Sequence, residues 1–215
     1  MKRQYGLSLI ELMVAILISS ILLLGVLQLF SNTSATDRTN TALARVQESG
    51  RIALEIIGED ARRAGYQGCS SAANTLTVGT LTFPAAALDK TASSVTFRYA
   101  TAANTGTTFS GNKTCDNVTL YLNNVVYSNC ASNGVSRICK AVNGGNASPI
   151  LSNANISSIQ FGVADAGLIS WKNSASITTA QLNEAQAIRI TLTITDARNE
   201  ITRSFTGTYD LRNRL

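Results

Sequence analysis

The chain has no histidine, and that absence removes more chemistry than any other feature of its composition. Ser-His-Asp and Cys-His arrangements for nucleophilic catalysis are closed to it. Only two prolines occur, Pro84 and Pro149, so everything before residue 84 is free to run as helix without an imposed kink. Charge is scarce as well: 14% of residues are charged, and the net excess of +5 is scattered rather than gathered into a stripe. Nucleic acid is therefore not an expected partner. The acidic residues form no evident active site, because Glu59 and Asp60 are adjacent on a helix and point in different directions, a poor geometry for paired-carboxylate catalysis. Asp165-Ala166-Gly167 lacks the ligand run of a calcium loop. Neither an enzyme nor a cofactor is expected.

What the chain does have is one long apolar run. Leu12 to Phe30 contains no charged residue and only Ser19, Ser20 and Gln28 as clearly polar side chains. As a helix it measures roughly 28 Å at 1.5 Å per residue, against ~30 Å for the hydrocarbon core of a bilayer. Residues 7–30 are accordingly expected to form one transmembrane helix. Lys2 and Arg3 precede the run and nothing charged follows it until Asp37, which places the N-terminus in the cytoplasm and the rest across the membrane. The alternative is an ordinary secretory signal cut after Thr33-Ser34-Ala35. Against it, the run exceeds the ~7–15 residue apolar core of such signals, and Glu11 sits where a signal peptide has no use for a carboxylate.

Past the span, Leu43, Val46, Gly50, Ala53, Ile57, Ala61 and Ala64 recur at steps of three and four. That spacing predicts an amphipathic continuation of the helix over 31–65, with Arg38, Arg45, Glu48, Arg51, Glu55, Glu59 and Arg62 on its other faces and Gly65 as its stop. From 66 to 215 the chain turns rich in Ser, Thr, Asn and Gly, with short β-type runs between. Candidate strands are Thr75–Val78, Val95–Tyr99, Val118–Leu122, Val125–Tyr127 and Ile156–Val163. Ala187–Thr195 alternates, with Ile188, Ile190, Leu192 and Ile194 inward, and Asp196-Ala197-Arg198-Asn199 should turn it into Glu200–Tyr209 as a hairpin. Thr101 to Thr114 reads as an exposed loop. The expected class is α+β, a long helix packed on an antiparallel β-rich head.

Four cysteines, Cys69, Cys115, Cys130 and Cys139, lie downstream of the span, where an exported domain meets an oxidising compartment. Their gaps of 46, 15 and 9 residues are wrong for a zinc site, so no metal is expected and two disulfides are. Of three connectivities, Cys69–Cys115 with Cys130–Cys139 is preferred.

The basic leader, Gly6, and then Leu7-Ser8-Leu9-Ile10-Glu11-Leu12-Met13-Val14-Ala15 resemble the class III signal of type IV pilins and type II secretion pseudopilins. Leu7 and Ser8 depart from the usual Phe and Thr. Within that family, Arg45 to Leu54, Asp60 to Cys69 and the C-terminal Leu211-Arg212-Asn213-Arg214-Leu215 are similar to PilW-type minor pilins. The resemblance implies a type IV pilin fold, removal of the 1–6 leader after Gly6 by a prepilin peptidase, and N-methylation of Leu7. A residue without a side chain at position 6 lets a protease approach the backbone closely. It also implies that Glu11, one helical turn after Leu7, pairs with the positive N-terminus of a neighbouring subunit, which would offset the transfer cost of a carboxylate in an apolar segment; the alternative is a carboxylate that snorkels to the cytoplasmic interface.

By the same resemblance the chain is expected to be a minor pilin of the priming or tip complex. Its partners would be other minor pilins, the major pilin, the pilus assembly platform, a large tip adhesin and the lipid of the bacterial inner membrane. The head would be periplasmic and then part of the pilus. A J-type pseudopilin of type II secretion and a ligand- or DNA-binding competence pilin are the alternatives.

Overall fold

In the computed structural model, residues 8–69 and 75–214 are described. They divide into two compact units, residues 1–44 and 45–215. Helix α1 (Leu9–Arg63) is unbroken, as expected of a segment with no proline and long stretches of Leu, Ile and Ala.

Within the second unit, the buried side of α1 is Val46, Gly50, Ala53, Ile57, Gly58, Asp60 and Ala61. The stripe anticipated from periodicity is there from Val46 on, while Leu43, expected to begin it, is only partly buried. Gly65 ends the helix in the left-handed region at φ 84°, which glycine alone adopts without a steric cost. Its N–H donates to the Arg98 carbonyl (2.9 Å), and Ala100 N–H donates to the Tyr66 carbonyl (2.7 Å), so the chain leaving the helix is bonded to the strand at 94–101.

The strands are β1 (Leu76–Val78), β2 (Leu81–Phe83), β3 (Leu88–Lys90), β4 (Ser94–Thr101), β5 (Thr108–Lys113), β6 (Thr119–Ser132), β7 (Val135–Val142), β8 (Ser148–Ser152), β9 (Ala154–Asp165), β10 (Leu168–Asn173), β11 (Ala185–Thr195) and β12 (Thr202–Asp210). A short helix α2 (Thr179–Asn183) precedes β11, started by a capping box between Thr178 and Gln181. Among the described residues, β1 and β2 pair alone, β10-β9-β11-β12 form one sheet, and β3-β4-β6-β7-β8 form another, to which β5 adds by pairing with β6. All pairings are antiparallel. The fold is the α+β arrangement expected, a long helix on an antiparallel head.

Two expectations are corrected. Thr101 to Thr114 is not all loop: 108–113 pairs with β6, and Phe109 in it is 1% exposed, packed edge-on to Phe83 with ring centroids 4.9 Å apart. Val118–Leu122 and Val125–Tyr127 are not two strands but parts of one, because Asn123 and Asn124 stay in the ladder opposite Tyr99 and Arg98. The final hairpin is as anticipated. Ile188, Ile190, Leu192 and Ile194 are all buried, each worth about 1.5–3 kcal/mol of burial, while Thr191, Thr193 and Thr195 on the other face bond to Thr206, Ser204 and Thr202.

Candidate functional site

Two features stand out, one in each unit. In the first, every residue from Ser8 to Thr33 is exposed, including Leu22, Leu24, Leu29 and Phe30 at 65–73%. This part of α1 includes a window of mean hydropathy 2.6 with none of it buried, so the helix is long and apolar enough to cross a membrane. Two of its polar side chains bond within the helix. Ser20 hydroxyl donates to the Leu17 carbonyl at 2.8 Å, and the Gln28 amide reaches Asn32 at 3.3 Å. A polar group bonded to its own helix can sit in lipid at lower cost than a bare one.

Glu11 lies in the first turn of α1, where Ser8 carbonyl accepts from the N–H groups of Glu11 (3.0 Å) and Leu12 (3.2 Å). An acidic side chain there complements the positive end of the helix dipole. Gly6 and Leu7 lie outside the described residues, so the cleavage and methylation positions have no geometry here.

In the second unit, Asp60 is a buried carboxylate at 4% exposure. It accepts from Tyr99 Oη (2.6 Å), Tyr127 Oη (2.5 Å) and Lys140 Nζ (2.8 Å), which come from β4, β6 and β7. Burial first, and then the bond to Asp60, push the Tyr99 phenol up to about 12 and the Tyr127 phenol up as well. Both phenols therefore stay protonated and donating at neutral pH. Each carboxylate oxygen is engaged and the charge is matched by Lys140, an arrangement that fixes the helix to the sheet rather than one that reacts. Glu59 next to it points away and pairs with Arg63 on the surface, so the two carboxylates do face different ways.

Sequence reasoning missed Asp60. The signal available was its phase: it lies three residues after Ile57 and four before Ala64, on the apolar stripe itself, but its three partners are far along the chain.

The same helix face meets β12 through two glycines. A Cβ on Gly50 would come within 2.6 Å of the Phe205 ring, and one on Gly58 would overlap the Tyr209 ring. Tyr209 Oη also donates to the Leu54 carbonyl at 2.6 Å, which holds that ring in place. Glycine is used here for close approach of an aromatic side chain.

The cysteines are paired as Cys69–Cys115 and Cys130–Cys139, with Cα separations of 5.3 and 5.9 Å. The second bridge ties β6 to β7. Among the described residues no group of three or more His, Cys, Asp or Glu side chains is assembled that could hold a metal.

With this geometry in view, two family models match the chain. One, described as prepilin peptidase-dependent protein B, covers residues 39–211. The other, the prokaryotic N-terminal methylation motif, covers residues 1–27. No curated protein matches. Among solved structures, a type IV-like pilin from Thermus thermophilus is 10% identical, covering 79% of this chain and 97% of that one with a TM-score of 0.44.

Proposed function

The chain belongs to the prepilin peptidase-dependent protein B family, and from that premise we propose that it is a minor type IV pilin, a structural subunit of the PilW type that helps prime pilus assembly and stays at the tip. The observation that carries this reading is the bare apolar segment of α1, which finds no cover among the described residues of its own unit and so needs lipid or other subunits. Apolar surface of that extent stays out of water only in a membrane or a bundle.

In this reading residues 1–6 are a leader removed after Gly6 by prepilin peptidase. The methylation motif supports processing there and methylation of Leu7. Residues 7–30 anchor the precursor in the inner membrane with the N-terminus cytoplasmic. Residues 31–65 continue the helix, and the disulfide-braced head occupies 66–215 outside. The partners are other minor pilins, the major pilin, the assembly platform and a large tip adhesin. Glu11 receives the positive N-terminus of an adjacent helix, an attraction strengthened by low dielectric.

The test is Glu11→Gln in cells. Insertion and cleavage should persist, since removing a charge from an apolar segment lowers its transfer cost. Co-purification with other minor pilins and recovery in sheared pili should fall. Wild-type levels in both would remove the pairing role, and loss of cleavage would move Glu11 to the processing step. Recovery of the wild-type chain in a type II secretion pseudopilus instead of pili would make it a J-type pseudopilin.

A further inference from the structure

A shallow cleft of about 280 Å³ opens where three turns of the head meet. One wall is Gly134 to Ser136 at the β6–β7 turn, another is Asn153 to Asn155 at the start of β9, and the third is Thr193, Thr195 and Asn199 around the β11–β12 turn. The volume is at the lower end of ligand-sized clefts, room for a terminal group rather than a long chain.

The walls are held from behind. The Cys130–Cys139 bridge crosses the hairpin that supplies Ser136. Asp196 accepts from the N–H groups of Arg198 (3.1 Å), Glu200 (2.7 Å) and Ile201 (2.7 Å), which fixes the turn carrying Asn199. Thr195 N–H donates to the Asn153 carbonyl at 2.8 Å and joins the other two walls. While the backbone is fixed in this way, the groups facing the cleft are not used up. Among the described residues, the side chains of Asn153, Asn155, Asn199 and Ser136 make no hydrogen bond to the rest of the protein.

We propose that this cleft binds a neutral, hydroxyl-rich ligand of the glycan class. The residues lining it are all uncharged, so nothing there matches an anion or a cation. A carboxamide sets one acceptor beside two donors, and a pair of neighbouring sugar hydroxyls offers the same mixture in return. Three free carboxamides around one small space can each make such a pair. Thr193 and Thr195 add hydroxyls, each already oriented by its partner on β12. The fixed backbone of the walls lowers the ordering cost of binding, while each unbonded side chain that engages the ligand adds to it, so the affinity expected is weak. The inference concerns the head alone and does not depend on the pilin reading.

The experiment is saturation-transfer NMR on the full-length chain in a detergent without a sugar headgroup. The probes are lactose, maltotriose and N,N'-diacetylchitobiose, each at about 10 mM, where weak binding is still detected. At least one should receive saturation. Asn155→Ala with Asn199→Gly, which suits the positive φ of 60° at Asn199, should weaken that binding about tenfold, the loss expected when two amides stop bonding. Lys172→Ala, beside the opposite end of β9, should leave it unchanged and report on folding. No transfer from any probe overturns the proposal, and so does transfer that the double variant does not reduce.

Discussion

Residues 9–33 and residues 45–63 belong to one helix, yet they treat their apolar surface in opposite ways. The first stretch carries large side chains all round, Leu, Ile, Met and Phe, and all of it is exposed. The second carries its buried face mostly in small residues, Gly50, Ala53, Gly58 and Ala61, with Val46 and Ile57 between. Small residues serve where the partner is already built and brings its own bulk, as Phe205 and Tyr209 do. Large ones serve where the partner must be found outside. Hydrophobicity alone would rank the first stretch as the better core, and it is the second that is core.

The largest test of this contrast is to delete everything before Thr33. The remaining chain should be a soluble monomer by light scattering, because the stripe left on the helix has a sheet to cover it. Persistent aggregation of the oxidised product would show that residues 45–63 also need outside partners and would break the comparison.

Next in size is Asp60→Ala in that soluble form. It leaves Lys140 and two phenols without their acceptor, at a cost of about 3 kcal/mol, the lower end for a broken buried pair since Lys140 is partly exposed. Urea denaturation measures it. A loss under about 1 kcal/mol would class Asp60 with the exposed ion pairs of the helix, Arg51–Glu48 and Arg62–Glu55.

A smaller effect separates the two stretches by sign. Gly58→Ala should destabilise the head by about 1–2 kcal/mol, because overlap with the tethered Tyr209 ring exceeds the gain in helix propensity. Gly25→Ala meets nothing within 4 Å, so only the propensity gain of about 1 kcal/mol remains. Circular dichroism of the full-length chain in detergent should show equal or greater helix content for Gly25→Ala. A loss there would mean that position 25 is packed.

The mildest probe is alkaline pH. Tyr99 and Tyr209 are pushed up to about 12, chiefly by burial, whereas an unfolded tyrosine titrates near about 10. A raised folded value favours the protonated folded state, so this stabilisation is complete below about pH 10 and is lost as pH rises towards about 12. Melting of the soluble head, followed with tyrosinate absorbance, should show stability falling in that window. A flat response would mean the two rings titrate as freely as exposed ones.

The sequence exposed features that repeat locally and hid those that depend on distant residues. Ile188, Ile190, Leu192 and Ile194 alternate at the period of a strand, and Val46 to Ala61 recur at the period of a helix, so each pattern names its own element. Thr108 to Lys113 has no such pattern. Its buried Phe109 is flanked in sequence by polar residues that become strand only because the edge of β6 is there to pair with. Asn123 and Asn124 read as a break in β6 for the same reason. Helical phase sets Asp60 on the buried stripe and Glu59 off it, but nothing local says what Asp60 meets there. Its meaning resides in Tyr99, Tyr127 and Lys140, and no periodicity links a helix to residues in three later strands.

That separation along the chain has a consequence for the order of events during biosynthesis. The partners of Asp60 come 39, 67 and 80 residues after it, and the Tyr209 that grips Leu54 comes 155 residues later. The helix is therefore made first and seated last. Until the ribosome has delivered β12, Gly50 and Gly58 lack the Phe205 and Tyr209 rings that cover them, and contacts that close such long intervals are slow to form. If the apolar part of the helix is held in the bilayer, as proposed above, that anchor keeps the waiting face in one place while the strands that will cover it are still arriving.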